Sequence, residues 1–89
     1  MQFRWIDWNR DHVAGHGVDP EEAEMVVRNA RHPFPQQIGD EKLLVMGRGF
    51  GGRFLQVIYL LDPADTIFII HSRPMNEDEK RRYRRRSRK

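Results

Sequence analysis

The sequence predicts a small α+β domain: an antiparallel sheet packed by helices, in the order β-α-α-β-β-β-α. Three observations lead there. Asp19-Pro20-Glu21-Glu22 and Asn76-Glu77-Asp78-Glu79 both carry the chemistry of a helix start. Between Lys42 and Arg73 the spacing of apolar residues changes from helical to near-continuous runs broken by turn residues. No repeat or Ser/Gly linker interrupts the 89 residues, so residues 1–89 read as a single domain.

Taken in order, Phe3-Arg4-Trp5-Ile6 alternates enough for a short strand. Trp8 to Gly15 suits a short helix closed by Gly15 or Gly17. Asp19 caps the next helix, Pro20 fits its first turn, and Glu22 stands three residues on, as in a capping box. Ala23, Val26, Val27 and Ala30 then form one apolar stripe, and His32-Pro33-Phe34-Pro35 ends it. Strands over Lys42–Arg48 and Arg53–Leu61 are joined by Gly49-Phe50-Gly51-Gly52, a turn rich in residues that tolerate positive φ. Asp62-Pro63-Ala64-Asp65 turns the chain into Thr66–Arg73, and Pro74 stops that strand. Apolar residues on both faces of these strands require cover on both sides of the sheet.

The final helix, about 76–86, begins with Asn76 as cap and three carboxylates at the positive end of the dipole. Glu77–Arg81 and Asp78–Arg82 fall at i,i+4 in the favourable acid-first order. Charge is distributed very unevenly. The first 79 residues hold eight basic and thirteen acidic groups, and the last ten hold eight basic groups and no acidic one. A mildly acidic body with a cationic end favours nucleic acid, an anionic membrane or an acidic protein as partner.

The chain has no cysteine, which removes disulfides and thiolate metal sites. The first residues lack a signal-peptide core, and the apolar run Phe54–Leu61 is too short to span a bilayer, so a cytoplasmic protein is expected. The glycines at 47, 49, 51 and 52 sit in a hairpin and not at a strand-to-helix turn, which excludes a phosphate loop. His12 and His16 have the spacing of two metal ligands on one helix face. They need further ligands, no His-Glu-x-x-His pattern exists, and neither a metal nor any other cofactor is expected.

His71 and Arg73 carry the chemistry of most interest. Period two places them on one face together with Ile69, at a strand end before a cationic helix. Imidazole moves protons near neutral pH, and guanidinium holds phosphate and stabilises transition-state charge. RNA supplies its own nucleophile in the 2′-hydroxyl. The plainer alternative is a strand-end histidine satisfied by a neighbour. Arg48 and Arg53 flank the hairpin turn and can gather with Arg73 if the three strands pair in order. Glu79 and Tyr83 lie at i,i+4; Tyr83 either stacks on a base, donates a proton or anchors the helix. Trp5 and Trp8 read as core.

An ordered series of short motifs runs through nearly the whole chain. It comprises Phe3-x-Trp5, His16-Gly17-Val18 with Glu21-Glu22-Ala23, Glu41-Lys42-Leu43-Leu44-Val45-Met46-Gly47-Arg48, Gly52-Arg53-Phe54-Leu55-x-Val57-x-Tyr59, Ile69-Ile70-His71-Ser72-Arg73 and Glu79-x-x-x-Tyr83. In these residues the chain resembles the BrnT family of bacterial toxins, RelE-like ribonucleases of type II toxin–antitoxin pairs. The family usually has Ile-Ser-Ala-Arg where Ile70-His71-Ser72-Arg73 stands, so Arg73 matches and His71 replaces a serine.

The resemblance implies a metal-independent endoribonuclease that inhibits translation and growth. Its partners would be RNA and a DNA-binding, BrnA-like antitoxin that forms a hetero-oligomer with it. Arg48, Arg53, Arg73, Glu79 and Tyr83 are the matched positions, and His71 joins them from the reading of the residues themselves. Lys42, in place of a family arginine, and Lys80, Arg81, Arg82, Arg84, Arg85 and Arg86 would contact RNA. The alternative is a toxin-like protein that binds RNA or an antitoxin without catalysis.

Overall fold

The structure, a computed structural model, describes residues 1–87; Arg88 and Lys89, counted above in the basic run, lie outside the described residues. The elements are β1 (Gln2–Phe3), α1 (Asp7–Ala14), α2 (Pro20–Arg28), β2 (Gln36–Gly39), β3 (Lys42–Arg48), β4 (Phe54–Leu61), β5 (Thr66–Pro74) and α3 (Glu77–Ser87). This is the expected order with one strand added. The addition, β2, is a short polar edge strand that follows two prolines and ends in glycine, so it carried no strand signal.

The strands form one sheet in the order β1-β5-β4-β3-β2. From β2 to β5 every pairing is antiparallel. β1 pairs parallel to β5 through Gln2↔Thr66 and Phe3↔Ile67, which makes the sheet mixed and not purely antiparallel. Only two residues of β1 pair before the chain turns into α1, which takes over the β5 edge. Asn9, fully buried, holds α1 there: its side-chain amide donates to the carbonyl of Ile69 at 3.0 Å and to that of Arg4 at 3.2 Å. Its Oδ1 accepts from the Ile6 amide at 2.7 Å, closing the helix start.

The core lies between one sheet face and the two N-terminal helices. Val45, Leu55, Val57, Tyr59, Ile67 and Ile69 meet Val13, Ala23, Val26 and Val27, all buried. The expected stripe on α2 is therefore its packing face, although the helix ends at Arg28, just before Ala30. Asp19 caps it by accepting from the Glu21 amide at 2.8 Å. Trp8 departs from expectation. Asn9 and Val13 are the buried positions of α1, and Trp8, a rotation of about 100° away, is 55% exposed. Trp5 packs against the core, its Nε1 donating to Glu24 Oε2 at 2.7 Å.

The expected hairpin and turns are present in the structure. A short 3₁₀ turn at Phe50–Gly52 joins β3 to β4, with Gly51 and Gly52 at φ of +65° and +79°. Among the described residues, no helix is long and apolar enough to cross a membrane.

Candidate functional site

A β-bulge decides what the second sheet face displays. Tyr59 pairs with Ile69 and Ile58 with His71, so Ile70 is the surplus residue in β5. Alternation restarts there. Ile69 turns into the core, whereas His71 shares the opposite face with Phe68 and Arg73, contrary to the uninterrupted count that grouped His71 with Ile69. His71 and Arg73 do stand together, as expected. Ser72 between them is fully buried on the core side, its hydroxyl donating to the Gln56 carbonyl at 3.2 Å.

Arg73 is held by Glu79. Its two terminal nitrogens donate to the two carboxylate oxygens at 2.8 and 2.7 Å. Glu79 also accepts from the Asn76 amide at 2.8 Å, and Asn76 Oδ1 accepts from the Glu79 amide at 2.8 Å. That reciprocal pair is a capping box at the start of α3. The guanidinium holds the Glu79 carboxyl below the usual range, more than burial raises it, with help from the Asn76 amide. One carboxylate thus starts the helix and fixes the strand-end arginine.

α3 crosses one end of this face. Tyr83 anchors it, with its ring 5.9 Å from Phe54 and 6.3 Å from Phe34. Of the open readings of Tyr83, this placement fits the anchor. Between α3 and the sheet lies a groove of about 300 Å³ lined by Gln36, Gln56, Ile58, Arg73, Arg82 and Arg86, among others. Arg86 reaches across it and donates to Gln36 Oε1 at 2.7 Å. On the outer side of α3 the ion pairs form at i,i+3: Lys80 with Glu77 at 3.1 Å, and Arg81 with Asp78. The expected i,i+4 hydrogen-bonded partners are not the ones used. Arg81, Arg82 and Arg85 also border a shallow exposed pocket on that side.

The three matched arginines do not gather. Arg48 lies on the α3 side, its guanidinium 4.7 Å from the centre of the Phe54 ring, with Arg84 at 4.9 Å from the same ring. Arg53 is on the other side of the sheet. Its Nε donates to Glu22 Oε2 at 2.9 Å, and one terminal nitrogen donates to Glu22 Oε1 and to the Gly17 carbonyl, both at 2.6 Å. Glu22, expected as a capping-box partner, is buried and accepts also from the Phe50 amide at 2.8 Å. The Arg53 hydrogen bond holds the Glu22 carboxyl below its ordinary value against the opposing effect of burial. Gly49 makes room for this: a Cβ there would overlap Glu22 Oε2 and lie 2.7 Å from Leu55 Cδ1. Lys42 is exposed at the far end of β3.

His71 meets two more histidines. The His12 ring projects from α1 and the His16 ring from the turn that follows it, with ring centres 5.8 and 5.2 Å from that of His71 and 5.5 Å from each other. Partial burial, then the neighbouring His16, Arg73 and His12, push the His71 pKa below its ordinary value of 6.5. Trp8 stacks on His12 at 5.5 Å and on Phe68 at 6.2 Å, which gives the exposed tryptophan its packing. The i,i+4 pair was visible in the sequence; its third neighbour comes from a strand 55 positions on and was not.

A mixed five-stranded sheet with two helices on one face and a basic helix across the other, bordering a strand-end Arg–Glu pair, defines a small α+β domain with a cationic groove. No protein-family model matches the sequence, and no curated protein is significantly similar to it. Among solved structures, the fold matches that of the Brucella abortus ribonuclease toxin BrnT, with a TM-score of 0.69. The alignment covers 86% of this chain and 99% of that one at 19% identity. The BrnT-like architecture expected from the motif series is the one the chain adopts.

Proposed function

We propose that this protein is the toxin of a bacterial toxin–antitoxin pair and cleaves RNA through 2′-hydroxyl attack, with no metal taking part in the chemistry. The observation that carries the reading is that His71 and Arg73 share one sheet face, beside a groove lined by Arg73, Arg82 and Arg86. The fold shared with a ribonuclease toxin supports it.

In this mechanism the RNA backbone lies along the groove, with Arg82 and Arg86 contacting phosphates. Arg73, already oriented by Glu79, stabilises charge on the reacting phosphate. The 2′-oxygen forms a bond to phosphorus while its proton passes to His71, and the bond to the 5′-oxygen breaks. The 5′-oxygen takes a proton from solvent, leaving a cyclic phosphate and a 5′-hydroxyl. Tyr83, packed between two phenylalanines, is a helix anchor here, and Arg53, on the opposite face, supports the fold.

The partner that silences the toxin would be a DNA-binding antitoxin with an acidic segment laid over α3, covering the same groove. The test is to purify the chain without an antitoxin and incubate it with labelled RNA in EDTA. Cleavage that disappears in Arg73→Ala and His71→Asn is the expected result. Intact RNA at high protein concentration, with no growth defect on induction, overturns the proposal.

One observation favours a second reading. Glu79 already engages both terminal nitrogens of Arg73, a geometry suited to a binding module that holds RNA or an antitoxin without cutting. RNA retained with a steep salt dependence and left intact is the outcome that selects it.

A further inference from the structure

The three histidines at the seam of α1 and β5 have a use that RNA cleavage does not require. We propose that His12, His16 and His71 bind a divalent transition-metal ion of the zinc class, leaving a coordination position open to solvent.

Geometry is the first support. One ring nitrogen from each of the three residues lies within 4.8 Å of the others. Zinc–nitrogen bonds of about 2.0–2.1 Å in a tetrahedron require donors about 3.3 Å apart. The remaining contraction of about 1.5 Å falls mainly to His12 and His16, which are exposed and can rotate about their side-chain bonds. His71 is partly buried in a paired strand and provides the fixed corner.

The ligand set is the second. Three imidazoles without a carboxylate form a nitrogen site that suits zinc, nickel or copper and is a poor match for magnesium or calcium. His12 lies in the last turn of α1, His16 in the turn just past its C-cap Gly15, and His71 on a separate element. Such an arrangement closes a chelate across a tertiary contact, and α1 and β5 are already joined by Asn9.

The surroundings are the third. Trp8 stacks nearly parallel to His12, with 10° between the planes, and restrains that ring. The nearest fixed cation on the same strand face, Arg73, is neutralised by Glu79 and so opposes a metal ion weakly. His71 lies on the side of the sheet that carries the groove, because it pairs with Ile58, a groove residue.

The experiment titrates the untagged full chain with Zn²⁺ by calorimetry and with Co²⁺ by visible absorption, with Mg²⁺ as a control. One Zn²⁺ per chain, a tetrahedral Co²⁺ spectrum and no Mg²⁺ binding are expected. His71→Asn, His12→Asn and His16→Asn should each weaken Zn²⁺ binding by at least about tenfold, while His32→Asn leaves it unchanged. Should His71→Asn misfold by circular dichroism, the two exposed positions still decide the matter. Zn²⁺ binding as tight in the His12 and His16 variants as in the wild type overturns the site. So does unchanged binding in a folded His71→Asn, since the exposed His12–His16 pair would then suffice.

Discussion

Arg73 and Glu79 face each other through two hydrogen bonds of 2.8 and 2.7 Å, and the same carboxylate accepts from the Asn76 amide at the start of the helix that follows. Strand end and helix start are therefore one unit. Glu79→Ala removes the cap partner and leaves the guanidinium without its carboxylate, with the Pro74 carbonyl as its remaining acceptor, a loss expected to be about 2–4 kcal/mol. Urea denaturation measures it. Amide exchange should quicken first in α3; a uniform change across the sheet would mean that the pair does not hold the helix.

On the opposite face the Glu22–Arg53 pair and Gly49 set up a second test. Gly49→Ala drives a methyl into the Glu22 carboxylate and is expected to destabilise the fold by about 1–3 kcal/mol. Arg53→Met should lower stability similarly while RNA affinity stays within about twofold of wild type, since it is remote from the groove. A large loss of RNA binding in a folded Arg53→Met would move the interface to the helix side.

RNA affinity should depend on groove arginines in a graded way. Arg82→Ala and Arg86→Ala are each expected to weaken binding for every RNA sequence and to reduce the slope of log affinity against log salt by about 1. Filter binding between low and physiological salt measures both. An unchanged slope in the double variant places the phosphate contacts elsewhere on α3.

Acid should unfold this protein through two carboxylates. Glu22 and Glu79 are both held below their ordinary value of 4.5 in the folded state. A depressed folded pKa contributes stability that is complete above the unfolded value and is lost as pH falls through the folded one. The contribution of these two carboxylates is thus expected to be complete above about pH 5.5 and to fall below about pH 4.5, with Glu22→Gln flattening that limb. His71, whose folded pKa is depressed, adds a separate loss that begins as pH drops below about 6.5. Chemical denaturation at a series of pH values reads the slope; an identical acid limb in the glutamine variant assigns the effect to other groups.

Should the protein both cleave RNA and bind zinc, the two activities compete for His71. Micromolar Zn²⁺ is expected to suppress cleavage, with EDTA restoring it. In His16→Asn, suppression should need at least about tenfold more metal. Stimulation by Zn²⁺ would contradict the metal-free mechanism while leaving the binding site intact.

Much of this organisation was legible in the residues. Asp19 and Asn76 each cap a helix because short polar side chains satisfy first-turn amides wherever the chain places them. The stripe Ala23, Val26 and Val27 could only be a buried face. Relationships set by tertiary approach were harder to read. Glu22 has the expected local contact with the Asp19 backbone, yet its main partner is Arg53, 31 positions away. Asn9, whose role is to bridge α1 to β5, has no signature in sequence at all. The grouping of Arg48, Arg53 and Arg73 failed because Arg53 and Arg73 lie on opposite faces, a matter of phase that pairing order alone does not settle.

The surplus residue in β5 has a consequence for how such a strand can change length. Ile69 and His71 already pair with adjacent residues of β4, so a chain lacking Ile70 would keep Ile69 inward and His71 outward without any slip in register. The strand tolerates a one-residue gap at that point alone; a deletion at Phe68 or Ser72 would turn a core residue toward solvent. Shortening at Ile70 would instead relax the local twist and draw the His71 ring away from α1.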